Sequence, residues 1–405
     1  MYPDWPDSAA DLVPLPQCVG PKLKPFDFRG PQKIDFLEFL GEGRHGFVFK
    51  VTILGRIYAL KLFRFDYVDD WADTDELDDK DINAVTTMYN YVEPFNCECR
   101  SFGRLQEAGY AELAIECFGY VLLDDKHERI MMEKFADADI ELEFDGNVEC
   151  PGCWPMRSLW PGKSGRPPPI RGIVKEFGSG IENFKTTHAA RYLKDIKQFH
   201  QLGIIGLDVA ERQLINGKVA DFSTAITFPN ITTNSELSPH LSGDYEGLFE
   251  FQTFLYSIND YWMFDMMVAE WNMEQKEEKT KVSVRAFPSG RGCNIKYDLR
   301  NTPSRERVYT YIDPRKYDWK ACTASSASDA GATAEGPMTR QRAKRLPRLA
   351  KQPPRWYYSC GKEFAVYLRK QDHFTTYYTW HSKDGLVFPR RRSGPGYGWR
   401  RSRWS

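Results

Sequence analysis

The chain has 405 residues, a formal net charge of −1, 41% hydrophobic and 14% aromatic residues, enough for a large globular core. No apolar run approaches about 18 residues, and the first twenty residues lack a charged n-region and an apolar h-region, so neither a membrane span nor a secretory signal is expected. Nine irregularly spaced cysteines favour reduced thiols of the cytosol or nucleus over a disulfide framework.

Residues 1–33 are proline-rich and without periodicity, which predicts a flexible arm. Alternating apolar residues in IDFLEFLGEG, GFVFKVTI and RIYALKLFRF, with short glycine-bearing turns, predict three antiparallel strands. Within them, GEGRHGFVF sets Gly41, Gly43 and Gly46 ahead of Val48, and Lys61 follows Gly46 by 15 residues. Glycines let a turn close over phosphates with backbone N–H groups facing the anion, and this order of glycines and lysine is what a protein-kinase nucleotide loop requires.

Residues 66–81 hold nine Asp/Glu and one Lys, an expected exposed insertion without the glycine and ligand spacing of a calcium loop. FNCECRSFGRLQEAG then predicts a helix ending at Gly109, and CFGYVLLDD a strand. A polar stretch containing ECPGCW runs to Pro169 as a second insertion. RGIVKEF predicts a buried strand leading to a hinge. HAARYLKDIKQFHQLGI predicts a helix with Ala190, Leu193, Ile196 and Phe199 on one face. GIIGLDVAERQLINGKVADFSTA reads as strand, loop and strand, and 243–275 as aromatic-rich helix. Between Cys322 and Pro354 the composition turns to Ala, Ser, Thr, Arg and Pro, as in a disordered linker, and an aromatic-rich segment follows it. From Arg340 onward there are 17 Lys/Arg against 3 Asp/Glu, so the body is acidic and the tail basic.

Several of these segments fall in the order and spacing of protein-kinase motifs. Glu98 lies in a helix with Phe102 and Leu105. His200-x-x-Gly203 is followed by Gly206-Leu207-Asp208, then by Asp221-Phe222-Ser223 thirteen residues past Asp208, then by Asp260-Tyr261-Trp262. Over roughly 34–318 the chain thus resembles a protein kinase. The resemblance implies an α+β, two-lobed protein-kinase-like fold: an antiparallel β N-lobe with one helix, a mainly helical C-lobe, a disordered linker and a basic tail. Residues 34–178 would be the N-lobe and hinge, with insertions at 66–90 and 126–169. Residues 179–318 would be the C-lobe, 319–354 the linker and 355–405 a basic aromatic appendage.

The resemblance also assigns roles. Gly41, Gly43 and Gly46 would cover the phosphates of ATP, Val48 and Ala59 would line the adenine site, and Glu176 would sit at the hinge. Lys61 would hold the α- and β-phosphates, oriented by Glu98. Asp221 would bind magnesium, with Gln213 in the second metal position, and Asp208 would be the catalytic base. Lys175 would stand at the gatekeeper position, within reach of Glu98 or Asp221 and in competition with Lys61. Read singly, Lys61 and Glu98 are ordinary surface charges, and Asp208 and Asp221 are turn residues.

Departures from the pattern bear on catalysis. Gly206 and Leu207 replace the motif's histidine and arginine, Ala210 replaces the lysine that steadies the transferred phosphate, and Gln213 replaces an asparagine. Losing one positioned charge costs on the order of 10²–10³ in rate. No Ala-Pro-Glu follows, although Glu246 and Glu250 lie near its place. The expectation is a pseudokinase that binds ATP and transfers phosphate weakly or not at all; the alternative is an active Ser/Thr-type kinase.

At finer grain, FLGEGRHGFVFKV, GRIYALKLFRF, FNCECRSFGRL and PRKYDWKAC are similar to fungal kinase-like proteins grouped with the kinetochore Sim-four complex subunit family. That similarity implies a nuclear, kinetochore-linked interaction protein with protein partners; the other location is the cytoplasm. Cys150-Pro-Gly-Cys153 has a metal-knuckle spacing that Cys97 and Cys99 would have to complete; a turn within the insertion is the simpler account. The arginines and aromatics of 340–405 suit contact with nucleic acid or an import receptor, and no amphipathic apolar face accompanies them to favour a membrane.

Overall fold

The computed structural model describes residues 1–67, 80–136, 140–153, 155–181, 184–237, 246–284, 286, 312–321, 358–359, 378–383 and 386–391. Strands β1 (Asp35–Gly43), β2 (Gly46–Ile53) and β3 (Arg56–Phe63) form the expected antiparallel meander. Phe47, Phe49, Val51 and Ile53, every second residue of β2, are buried, as the period-two alternation of a strand dictates. Pairing of Gly43 with Gly46 and of Ile53 with Arg56 leaves two-residue turns. The second carries positive φ at both Leu54 and Gly55, the twist that tight hairpins favour.

After β3 the chain forms α1 (Ile82–Val92) and α2 (Pro94–Glu107). Asp81 caps α1 by accepting from the amides of Asn83 and Ala84, and Glu93 caps α2 by accepting from Asn96, with Pro94 in the first turn. Next come β4 (Cys117–Leu122), α3 (Asp125–Phe135), the short hairpin β5 (Gly146–Asn147) and β6 (Cys150–Pro151), α4 (Met156–Leu159) and β7 (Arg171–Glu176). Strand β7 inserts between β3 and β4, giving a five-stranded antiparallel sheet in the order β1-β2-β3-β7-β4. Helices α1 and α3 were not anticipated. The sequence predicted one helix beside the sheet, and both fall in stretches expected as insertions. Their packing explains them: Val85 and Met88 of α1, and Met131 and Phe135 of α3, share a buried cluster with Phe49 and Val51 of the sheet.

The remaining part is mainly helical. It contains α5 (Thr186–Gln201), β8 (Ile204–Ile205), the hairpin β9 (Leu214–Ile215) and β10 (Lys218–Val219), β11 (Ile226–Thr227) paired with β8, and α6 (Glu246–Glu274). One buried cluster spans both parts, joining Phe63, Leu122 and Ile173 of the sheet to Phe199, Phe222 and Phe254. Strands β12 (Tyr358–Ser359), β13 (Tyr378–Lys383) and β14 (Leu386–Arg391) form a separate small sheet in the order β12-β14-β13. The core of the acidic stretch, the expected linker from 322 onward and most of the basic tail lie outside the described residues. No helix among the described residues is long and apolar enough to cross a membrane.

The opening segment, expected as an arm, is anchored. Leu15 bonds with Leu23 in both directions, Lys24 and Phe26 exchange backbone hydrogen bonds with Tyr120 of β4, and Leu23 is fully buried. Gly103 of α2 makes this close passage possible, because a Cβ there would collide with the Lys22 backbone. Helix α2 is therefore buried from Pro94 to Leu105, and only its last two residues are exposed. Its Arg100 and Arg104 are fully buried, although their type belongs on a solvated face. Arg100 donates to the carbonyls of Val19, Thr227 and Pro229, and Arg104 to those of Leu202 and Phe228. The arginines thus satisfy backbone acceptors on three separate segments.

Candidate functional site

The β3–β7 register builds the site. Lys61 lies opposite Ile173 and Ala59 opposite Lys175, and side chains two apart on a strand share a face. Both lysines therefore project toward α2, where Glu98 receives one on each oxygen. Lys61 Nζ is 3.0 Å from Oε2, and Lys175 Nζ is 2.6 Å from Oε1. Lys61 also donates to Asp221 Oδ1 at 2.7 Å, and Lys175 to the Ala220 carbonyl at 2.9 Å. Glu98 has no exposed side-chain surface, Lys61 and Lys175 almost none, while 28% of the Asp221 side chain faces solvent. The formal charges of these four groups cancel, which is what burial demands. Burial works against the Lys61 ammonium, but Asp221 and Glu98 outweigh it and hold its pKa above the ordinary value. Burial likewise pushes Asp221 up, but Lys61 and Lys175 together hold it well below the carboxylate range.

Val48 pairs with Lys61 and Ala59 with Lys50, so Val48 and Ala59 lie half-buried on the same face as Lys61. Gly41, Gly43 and Gly46 flank the β1–β2 turn at the end of that face. Gly46 is fixed by two constraints: its φ is +156°, and a Cβ would run into the Leu62 carbonyl. Glu176 sits just past Lys175. Its amide donates to the Glu116 carbonyl and its side chain accepts from Asn216 Nδ2 at 3.1 Å.

Asp208 lies apart from the quartet, in the loop between β8 and β9. Arg212 Nη2 reaches both of its oxygens, at 2.7 and 2.8 Å, and Gln213 Nε2 donates to one of them. The loop itself is held from beneath. Asp260 on α6 accepts from the Gly206 and Leu207 amides, both at 2.8 Å, and from His200 Nε2 at 2.9 Å. Two such bonds account for the positive φ of Leu207, a conformation that non-glycine residues avoid. Phe222 packs edge-on between Phe102 of α2 (5.2 Å) and Phe199 of α5 (5.4 Å), which fixes Asp221 relative to Glu98.

The donors suit a phosphate better than a metal. Lys61 is an oriented cation beside the glycine turn, the kind of group that binds phosphate oxygens. Magnesium prefers six oxygens in octahedral array. Both Glu98 oxygens are taken by lysines, Asp208 is covered by Arg212, and the Gln213 amide nitrogen donates to Asp208. Asp221 alone is left as a carboxylate ligand. Among the described residues no three His, Cys, Asp or Glu side chains converge into an all-protein metal cage. Cys150, which opens β6, is instead paired with Cys153 just beyond that strand, while Cys97 and Cys99 are buried in α2. Burial pushes both α2 thiols up, which disfavours the thiolates that zinc needs.

Sequence reasoning brought Lys61, Glu98 and Asp221 to one place but missed Arg212, whose only signal is its position four residues past Asp208. The anchoring role of His200 was also missed; its signal was a place four residues beyond Ile196, on the buried face of α5.

A family model described as kinetochore Sim4 complex subunit FTA2 matches residues 12–226, from the anchored opening segment through the quartet to β11. No curated protein matches the chain.

Proposed function

Because the chain belongs to the family of the kinetochore Sim4 complex subunit FTA2, we propose that it acts at the kinetochore, in the nucleus, as an interaction protein. Its framework would be a divergent two-lobed protein-kinase-like domain that binds ATP and transfers phosphate weakly or not at all. Support for the domain reading comes from the convergence of Lys61, Glu98 and Asp221 beneath the glycine turn. The anchoring of the Gly206–Leu207 loop by Asp260 adds to it.

The observation that carries the weak-transfer reading is the state of Asp208. A base must accept a proton from the incoming hydroxyl, but Arg212 donates to both oxygens of this carboxylate and Gln213 to one of them, so the lone pairs that would take the proton are already engaged. Ala210 offers no cation to the developing phosphoryl charge, a loss on the order of 10²–10³ in rate. In this role the basic tail 340–405 would reach nucleic acid or an import receptor, and the folded body would bind protein partners.

Calorimetric titration of ATP in magnesium buffer, paired with γ-phosphate incorporation, tests the site. Wild type should bind ATP, the Lys61→Met variant should bind it about tenfold or more weakly, and no variant should incorporate phosphate. Incorporation that both Lys61→Met and Asp208→Asn abolish would establish the active kinase instead. For the cellular role, the tagged protein should colocalise with centromeric chromatin; a diffuse cytoplasmic signal would refute it.

A further inference from the structure

Lys175 gives the site a second buried ammonium, and the site's metal donors are correspondingly poor. Its partner Glu98 is saturated, with Lys61 on one oxygen and Lys175 on the other. The quartet is formally neutral without any further ion. A divalent cation on the Oδ2 side of Asp221 would share the carboxylate with the Lys61 ammonium on Oδ1 and would also feel the Lys175 charge, in surroundings that screen like charges poorly. A phosphate oxygen can reach Lys61 from the Asp221 side, the partly exposed one, where the two ammonium groups offset its repulsion from the Asp221 and Glu98 carboxylates. Lys175 then supplies a second positive charge within the same network.

We infer that the site binds a nucleoside triphosphate free of divalent metal, with the Lys175 ammonium supplying the countercharge that a magnesium ion would otherwise bring. This rests on the nucleotide reading above. No bond is made or broken; Lys175 is a specificity-determining residue that acts through Glu98 and the local field.

The test is calorimetric titration of ATP into the full chain, once in excess EDTA and once in magnesium chloride. Wild type should bind with dissociation constants within about threefold of one another in the two buffers. Lys175→Met should weaken the EDTA value by about tenfold or more and make binding depend on magnesium, whereas Lys175→Arg should keep the wild-type pattern. Wild-type binding that needs magnesium overturns this inference and leaves the nucleotide reading standing. No ATP binding in either buffer overturns both. The comparison of wild type in two buffers stays decisive even where Lys175→Met fails to fold.

Discussion

Glu98 and Asp208 are both carboxylates held by nitrogen donors, yet their settings are opposite. Glu98 draws its partners from two different strands and has no exposed surface. Asp208 draws its partners from residues four and five positions along its own loop, and the Arg212 side chain is 69% exposed. The first arrangement can form only when β3, β7 and α2 have assembled, so its charges are part of the fold. The second is local and solvated, and the fold does not depend on it. Substitutions in the Asp208 loop should thus be tolerated better than substitutions in the quartet.

That contrast is open to attack by substitution. Glu98→Ala leaves two buried ammonium groups with no acid between them, and should cost about 3–5 kcal/mol, read from the urea midpoint. A loss below about 1 kcal/mol would show that the quartet is not structural. Arg100→Met removes charged bonds to carbonyls of two segments and should cost about 2–3 kcal/mol by the same measurement.

Asp195 on α5 sharpens the comparison, since it is a buried carboxylate whose nearest cation, Arg191, is 3.7 Å away. Burial pushes its pKa up to about 6, against the pull of Arg191, Lys194 and Lys218. A raised carboxyl pKa favours the protonated fold, so this contribution is complete below the ordinary carboxylate range and is lost as the pH rises through about 6. Asp195→Asn should therefore stabilise the protein by about 1–2 kcal/mol at neutral pH, with the gain vanishing near pH 4 in thermal melts across that range. Arg212→Ala should change the urea midpoint by no more than about 0.5 kcal/mol.

Much of the quartet was legible in the sequence because Lys61, Glu98 and Asp221 stand in the order and spacing of protein-kinase motifs, whereas read singly they are surface charges and a turn residue. The spacing from Gly46 to Lys61 spans one hairpin, and Lys175 was marked as a competitor for Glu98 by its place just before Glu176. Other features were hidden because their cause lies far away in sequence. Arg100 and Arg104 are of a type expected on a solvated helix face, and the carbonyls of 19, 202 and 227–229, with Glu107 on Arg104, are what make their burial affordable. The opening segment has no period because it is held by backbone bonds and by the missing side chain at Gly103, neither of which leaves an apolar pattern. Helix α1 follows directly on the acidic stretch, whose charge masks the apolar period of Val85, Met88 and Val92.

The two-way grip of Arg100 also sets a schedule for folding. One end of its guanidinium bonds Val19, 81 residues upstream, and the other bonds Pro229, 129 residues downstream. A chain emerging from the ribosome can pair the first contact early, but it cannot satisfy this buried cation until residue 229 is clear of the exit tunnel. Contacts of such span make for slow, late closure. A fragment ended at residue 226, where the family match stops, would lack the acceptors at Phe228 and Pro229 that Arg104 and Arg100 use, so the independently folding unit extends beyond that boundary.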